Sequence, residues 1–251
     1  PMKKLKFTFK NAAGEELAGL LELPENPKAF ALLAHCFTCG KDLKGAARIA
    51  RKLTENAIAV LRFDFTGLGN SEGDFSNTNF SSNISDLLCA VDYLRRQYEA
   101  PSLLIGHSLG GSAILSIAGE VPEAKAVVTI GSPGELTHVK RLFKDDVENI
   151  NQHGAYPVEL AGRVFTLKKQ MLDNIQEHKI AHKVFAMNKP LLIFHATEDD
   201  TVLIEQAEKI FKAAKHPKSF ISLGKADHLL THAQDAEYVA DIIISWSECY
   251  L

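Results

Sequence analysis

Long apolar runs, an excess of one charge, internal repeats and clustered cysteines are all missing from these 251 residues. Each absence removes a class of function. No apolar stretch nears the roughly 18–20 residues that span a bilayer, so no membrane role is expected. The opening PMKKLKFTFK is basic, but no apolar segment follows it, which argues against a secretory leader. The formal net charge is −3 and both signs are interspersed, leaving no basic stripe for nucleic acid. Four cysteines, Cys36, Cys39, Cys89 and Cys249, are too few and too scattered for a disulfide scaffold. Reduced thiols in a cytoplasmic setting are therefore the expectation. Without H-E-x-x-H or a second C-x-x-C, neither a metal nor an organic cofactor is expected.

The chain does contain enough apolar residues, 46%, to bury a large core as a single domain over residues 1–251. Short, nearly continuous apolar runs at 30–34, 58–63, 102–106, 126–130, 191–195 and 219–223 read as strands covered on both faces. Helical periods separate them: Leu43, Ala46, Ala47, Ala50 and Leu53; Ile84, Leu87, Leu88, Val91 and Leu94; Ala207, Ile210, Phe211 and Ala214; Val239, Ile242, Ile243 and Trp246. Residues 6–9 and 17–23 read as an antiparallel hairpin. This alternation predicts an α/β fold with a mostly parallel sheet flanked by helices. Residues 135–188 break the rhythm, being polar and helix-rich without a clear buried strand. A small helical cap over a pocket is expected there, because connections this long tend to carry function.

The segment LLIGHSLGGSAILSIA holds the main chemical signal. Gly106-His107-Ser108-Leu109-Gly110 fits G-x-S-x-G, with an apolar strand leading in and an apolar helix leading out. A sharp strand-to-helix turn needs residues without bulk beside the nucleophile, and it lifts the serine hydroxyl to a helix N-terminus, where negative charge is favoured. A capping serine would produce part of this pattern, but not the flanking strand, helix and extra Gly111 together. Ser108 is the candidate nucleophile.

A serine hydroxyl needs an oriented base to attack at neutral pH. In this arrangement the chain order is serine, acid, histidine, each after a later strand. His228, in LGKADHLLTH, follows the last strand and precedes the last helix; His232 sits one helical turn further on and reads as a surface residue. The acid must come from LLIFHATEDDTV, where spacing alone does not choose among Glu198, Asp199 and Asp200. Two N–H groups must meet the oxyanion. The residue after the nucleophile, Leu109, supplies one, and Phe37, in the early loop AHCFTCGKD, supplies the other. That loop also carries Cys36-Phe37-Thr38-Cys39, either two small thiols beside the oxyanion site or a redox pair that regulates it. The Gly-rich loop at 64–73 lacks G-x-G-x-x-G and reads as structural rather than dinucleotide-binding.

Taken together, AHCFTCGKD, LRFDFTGLGNSEG, TNFSSNISDL, LLIGHSLGG, HATEDDTV and KADHLLTH resemble bacterial α/β-hydrolases of the cinnamoyl/feruloyl carboxylesterase type. They resemble still more the hydrolase domain found fused to, or beside, an OsmC-like peroxide-reducing domain. The likeness runs from about residue 30 to the end. It implies the α/β-hydrolase fold, an acid in H-x-x-x-D-x-x-V that falls on Asp199 with Asp200 next, and Phe37 and Leu109 as oxyanion donors. It also implies association with an OsmC-like domain. His35-Cys36 stands where the typical esterase has His-Gly, which favours the OsmC-associated relatives and weakens a feruloyl specificity.

The leading expectation is a serine carboxylesterase acting on small to medium acyl esters through an acyl-enzyme on Ser108, with a small-molecule ester as partner. Thioesterase, perhydrolase and amidase chemistry would use the same groups. The competing expectation is a thiol-based redox or partner module working through Cys36 and Cys39. A catalytically idle binding domain is a third.

Overall fold

Strands that are apolar on both sides require helices on both sides, and the computed structural model shows this arrangement. It describes residues 1–36 and 38–251. The hairpin β1 (Lys3–Lys10) and β2 (Glu16–Leu23) is followed by β3 (Ala29–Ala34), α1 (Lys44–Glu55), β4 (Ile58–Phe63), α2 (Phe80–Gln97), β5 (Leu103–His107), α3 (Leu109–Ile117) and β6 (Ala126–Ile130). An excursion then contains α4 (Val147–His153), β7 (Ala155–Leu160), β8 (Arg163–Lys168), α5 (Lys169–Glu177) and α6 (Ile180–Met187). The chain returns through β9 (Leu191–His195), α7 (Glu205–Ala213), β10 (Lys218–Ser222) and α8 (Ala233–Ser247).

Eight strands form one sheet in the order β1-β2-β4-β3-β5-β6-β9-β10. The two pairings that involve β2 are antiparallel and the rest are parallel. Side chains alternate across it. Phe30, Leu32 and Ala34 of β3 join the core beneath α2 and α3, while Ala31 and Leu33 join the core beneath α1 and α8. Helix α1 turns Ala46, Ile49, Ala50 and Leu53 inward, and α8 turns Ala236, Val239, Ala240 and Ile243 towards the same core. That three-to-four spacing is the stripe needed to cover one sheet face.

After β3 the chain moves to β4 on one side, then crosses back past β3 to form β5. The reversal opens a crevice at the carboxyl ends of β3 and β5, where sheets of this kind bind ligands. The loop after β3 and the turn after β5 both end there.

The excursion differs from the purely helical cap expected. Residues β7 and β8 pair as a two-stranded ribbon, closed by Ala161 and Gly162, both at positive φ, as a two-residue primed turn requires. Val158, Leu160, Phe165 and Leu167 are buried while their neighbours are exposed. Pro157 hides this short alternation in the sequence. It is tolerated because each strand of a two-stranded ribbon has a free edge. Among the described residues, no helix is long and apolar enough to cross a membrane.

Candidate active site

Ser108 sits between β5 and α3 with φ 55° and ψ −128°, a backbone state that side chains other than glycine rarely adopt. Its N–H is tied to the Ile130 carbonyl at 2.8 Å, and its carbonyl accepts from Gly111 N at 2.9 Å. Two glycines make the turn possible. A Cβ at Gly106 would strike the backbone of Gly110 and Gly111, and one at Gly110 would strike the main chain of Ala34 and His35. The turn therefore packs directly against the end of β3. Leu109 opens α3, so the helix ladder does not use its N–H.

The Ser108 hydroxyl lies 2.9 Å from His228 Nε2, and His228 Nδ1 lies 2.7 Å from Asp199 Oδ2. The other Asp199 oxygen accepts from the amides of Thr201 and Val202, each at 2.9 Å. Burial pushes the Asp199 carboxyl up. The hydrogen bond and charge of His228, with help from the Val202 amide and His195, outweigh that, and the carboxyl ends below the usual carboxylate range. An ionised Asp199 accepts the Nδ1 proton, leaving Nε2 free to take the serine proton. Asp199 is buried, while Glu198 and Asp200 are exposed. The three carboxylates that spacing leaves equivalent thus have different surroundings, and Asp199 alone among them contacts His228.

Two more histidines brace this chain of bonds, and a third, His35, braces the loop after β3. His107 donates Nε2–H to the His228 carbonyl at 2.7 Å, and burial, with the nearby His228 second, depresses its pKa to about 3. His195 is fully buried and donates Nε2–H to the Val202 carbonyl at 2.7 Å. This fixes the turn whose amides hold Asp199. His35 accepts from Phe65 N–H at Nε2, so Nδ1 carries its proton and donates to the Cys36 carbonyl at 2.8 Å. Burial lowers the pKa of both His195 and His35, and each works as a neutral ring.

The loop after β3 is pinned from below. Asp64 accepts from Lys41 N at 2.7 Å, Lys41 Nζ at 2.9 Å and Asn70 N at 3.0 Å. Arg62 donates to the Lys41 carbonyl and to Glu22 at 3.0 Å. Phe37, the expected second oxyanion donor, lies outside the described residues. The expectation of two reduced thiols is corrected: Cys36 and Cys39 are joined in a disulfide, with Cα atoms 5.3 Å apart. A turn closed by Cys39 N–H on the Cys36 carbonyl at 3.1 Å brings the pair within bridging distance.

Two small cavities flank Leu109. One, of about 20 Å³, extends towards Thr38, Phe65 and Ala113. The other, of about 10 Å³, lies under the cap against Leu136, Val139, Met171 and Ile175. Among the described residues, no carboxylate lines either. Among the described residues, no three His, Cys, Asp or Glu side chains converge as a metal cluster.

This chain is 44% identical to the esterase domain of a Rhodothermus marinus protein, covering 99% of both chains with a TM-score of 0.80. It belongs to the α/β-hydrolase family. The hydrolase also matches the family described as serine aminopeptidase, S33, over residues 25–145. It has the same fold as Est1E of Butyrivibrio proteoclasticus, solved with ferulic acid bound (TM-score 0.83, 22% identity, 97% and 98% of the two chains). Among curated relatives, the palmitoyl-protein thioesterase ABHD10 of Bos taurus is 26% identical over 57% of this chain and 48% of its own. The hydrolase thus spans about half the length of that relative.

Reading the hydrolase from sequence misses its bracing histidines. His107 occupies a variable place in G-x-S-x-G and His195 ends a strand, so neither position advertises a role. The usable signal is physical: a histidine inside a buried apolar strand must find a hydrogen-bond partner.

Proposed function

We propose that this hydrolase is a carboxylesterase for short to medium acyl esters, with Ser108 as nucleophile, His228 as general base and Asp199 as its orienting acid. The observation that carries this reading is the unbroken chain of hydrogen bonds from the Ser108 hydroxyl through His228 to Asp199. Ser108 attacks the ester carbonyl as His228 Nε2 takes its proton. The tetrahedral oxyanion is held by the N–H of Leu109, at the positive end of α3, and by that of Phe37. His228 then protonates the leaving alcohol. Water, deprotonated by the same ring, releases the acid and restores Ser108.

Several observations favour an ester over a peptide N-terminus. A free α-amino group calls for a carboxylate in its pocket, and the cavities beside Leu109 hold none. The Rhodothermus marinus relative is described as an esterase domain. Thioesters would pass through the same acyl-enzyme, and several relatives are described as thioesterases. Cavities this small favour short acyl groups over long ones. Cytoplasmic residence and association with an OsmC-like domain belong to the same proposal and rest on composition and motif resemblance.

The test is hydrolysis of p-nitrophenyl esters of increasing chain length by the wild type and Ser108→Ala, with and without a dithiol reductant. The expected result is turnover that falls beyond short chains and vanishes in the variant. If no ester is cleaved and peroxide consumption instead follows Cys36 and Cys39, the thiol module replaces the esterase.

A further inference from the structure

Helix α2 presents Phe80, Ile84, Leu87, Val91 and Leu94 towards the core beneath the sheet. Asn83 falls on this stripe, three residues after Phe80 and four before Leu87, where helical periodicity calls for an apolar side chain. It is half-buried and lines both cavities beside Leu109.

Among the other polar residues in the first turns of α2, Ser85 lines neither cavity beside Leu109, and the rest have partners. Asn79 binds Ser82 and Gln170, Ser81 binds Asn174 and His178, and Asp86 binds Thr66. The Asn83 side chain has no hydrogen bond among the described residues. The amide is not sealed in the core, so its donors and acceptor are open to a group that enters either cavity. His35 also lines the first cavity, but both its ring nitrogens are engaged. Thr38, whose hydroxyl likewise lacks a hydrogen bond among the described residues, reaches the first cavity and not the second.

We infer that Asn83 is the specificity-determining residue of the acyl pocket and selects acyl groups bearing an uncharged hydrogen-bonding substituent, such as a hydroxyl. This rests on the esterase reading above. The amide offers one acceptor and two donors, so a hydroxyl can satisfy it in either sense. Among the described residues, no charged side chain lines the two cavities to recognise an ionised substituent. Both cavities touch Leu109, whose N–H is assigned to the substrate carbonyl, and the inference places the acyl side of the ester there. A site built to hydrogen-bond a hydroxyl discriminates strongly against the analogue without it.

The experiment compares kcat/KM for ethyl butyrate, both enantiomers of ethyl 2- and 3-hydroxybutyrate, and 2-hydroxyethyl butyrate, in the wild type and in Asn83→Leu. The wild type is expected to prefer one hydroxylated ester. The ratio of hydroxylated to plain ester should fall by about tenfold or more in Asn83→Leu, and Asn83→Ser should restore part of it. An unchanged ratio, even with both rates reduced, overturns the inference, because it assigns Asn83 a purely structural part. So does discrimination confined to 2-hydroxyethyl butyrate, which carries its hydroxyl on the alcohol side. Calorimetry with the same esters on Ser108→Ala, with and without Asn83→Leu, reads the contact without turnover. A wild type inert to every ester would overturn the esterase reading, while the affinity ratio in that pair would still decide for or against Asn83.

Discussion

His107, the residue before Ser108, donates its Nε2–H to the main-chain carbonyl of His228 at 2.7 Å. The base is thus held twice, through its ring by Asp199 and through its backbone by the strand that carries Ser108. Replacing His107 with Phe keeps the bulk and deletes the donor. Misplacing a reacting group by even about 1 Å can cost roughly a hundredfold in rate. His107→Phe is therefore expected to lower kcat by about tenfold to a hundredfold with KM little changed, and His107→Gln to recover part of the loss. Steady-state kinetics decide the point: a rise in KM at constant kcat would remove His107 from the positioning of His228.

The three adjacent carboxylates should separate cleanly under mutation. Asp199→Asn keeps an oxygen for the Thr201 and Val202 amides but turns an NH2 donor towards His228 Nδ1, so the ring loses its working tautomer and a loss of about a thousandfold to ten-thousandfold in kcat is expected. Asp200→Asn and Glu198→Gln alter exposed side chains and should stay within about twofold of the parent. A comparable loss in Asp200→Asn would transfer the acid's role to that residue.

How much of this was legible in the sequence depended on whether burial left a pattern. The parallel strands were readable because helices cover both faces, so runs such as FALLA and LLIFH are continuously apolar. The turn around Ser108 was readable because its glycines are sterically required. His228 was readable from its place between the last strand and the last helix. Residues β7 and β8 were not, because Pro157 interrupts a short one-sided alternation. The choice of Asp199 needed a resemblance, since only burial and direction distinguish it from Asp200. The Cys36–Cys39 bond was open because a three-residue spacing permits both a dithiol and a disulfide. The bracing roles of His35, His107 and His195 arise from contacts between residues far apart in the chain, which local patterns do not carry.

Asp64 joins the loop after β3 to the one after β4, and both it and Lys41 are almost completely buried. Removing one partner of a buried ion pair leaves the other charge uncompensated, typically at a cost of about 3–5 kcal/mol. Asp64→Asn keeps an acceptor and should lie near the lower end, about 3 kcal/mol, with a fall in kcat as the loop bearing Cys36 loosens. Urea denaturation and kinetics measure both effects. Asp64→Asn combined with Lys41→Met should regain stability relative to Asp64→Asn alone, since no unpaired ammonium remains. If the double variant were the less stable of the two, the pair would not be the main interaction at this position.

Asp86 supplies a pH test that does not involve the reacting groups. Burial pushes its carboxyl up to about 6, against the opposing pull of the Thr66 amide and hydroxyl. The folded state therefore binds a proton here more tightly than the unfolded chain, whose ordinary value is 3.8. The stability contributed by that proton is fully present below pH 3.8 and is lost as pH rises through about 6. Above that range a buried carboxylate is retained at a cost, which Asp86→Asn removes while keeping an oxygen for Thr66. Asp86→Asn should thus melt higher than the wild type at about pH 8. The gap should narrow by about 1 kcal/mol, a few degrees in Tm, by about pH 5. Paired thermal melts across that range test the sign directly: a gap that widens on acidification would mean that Asp86 is stabilised as the anion, with the Thr66 bonds outweighing burial.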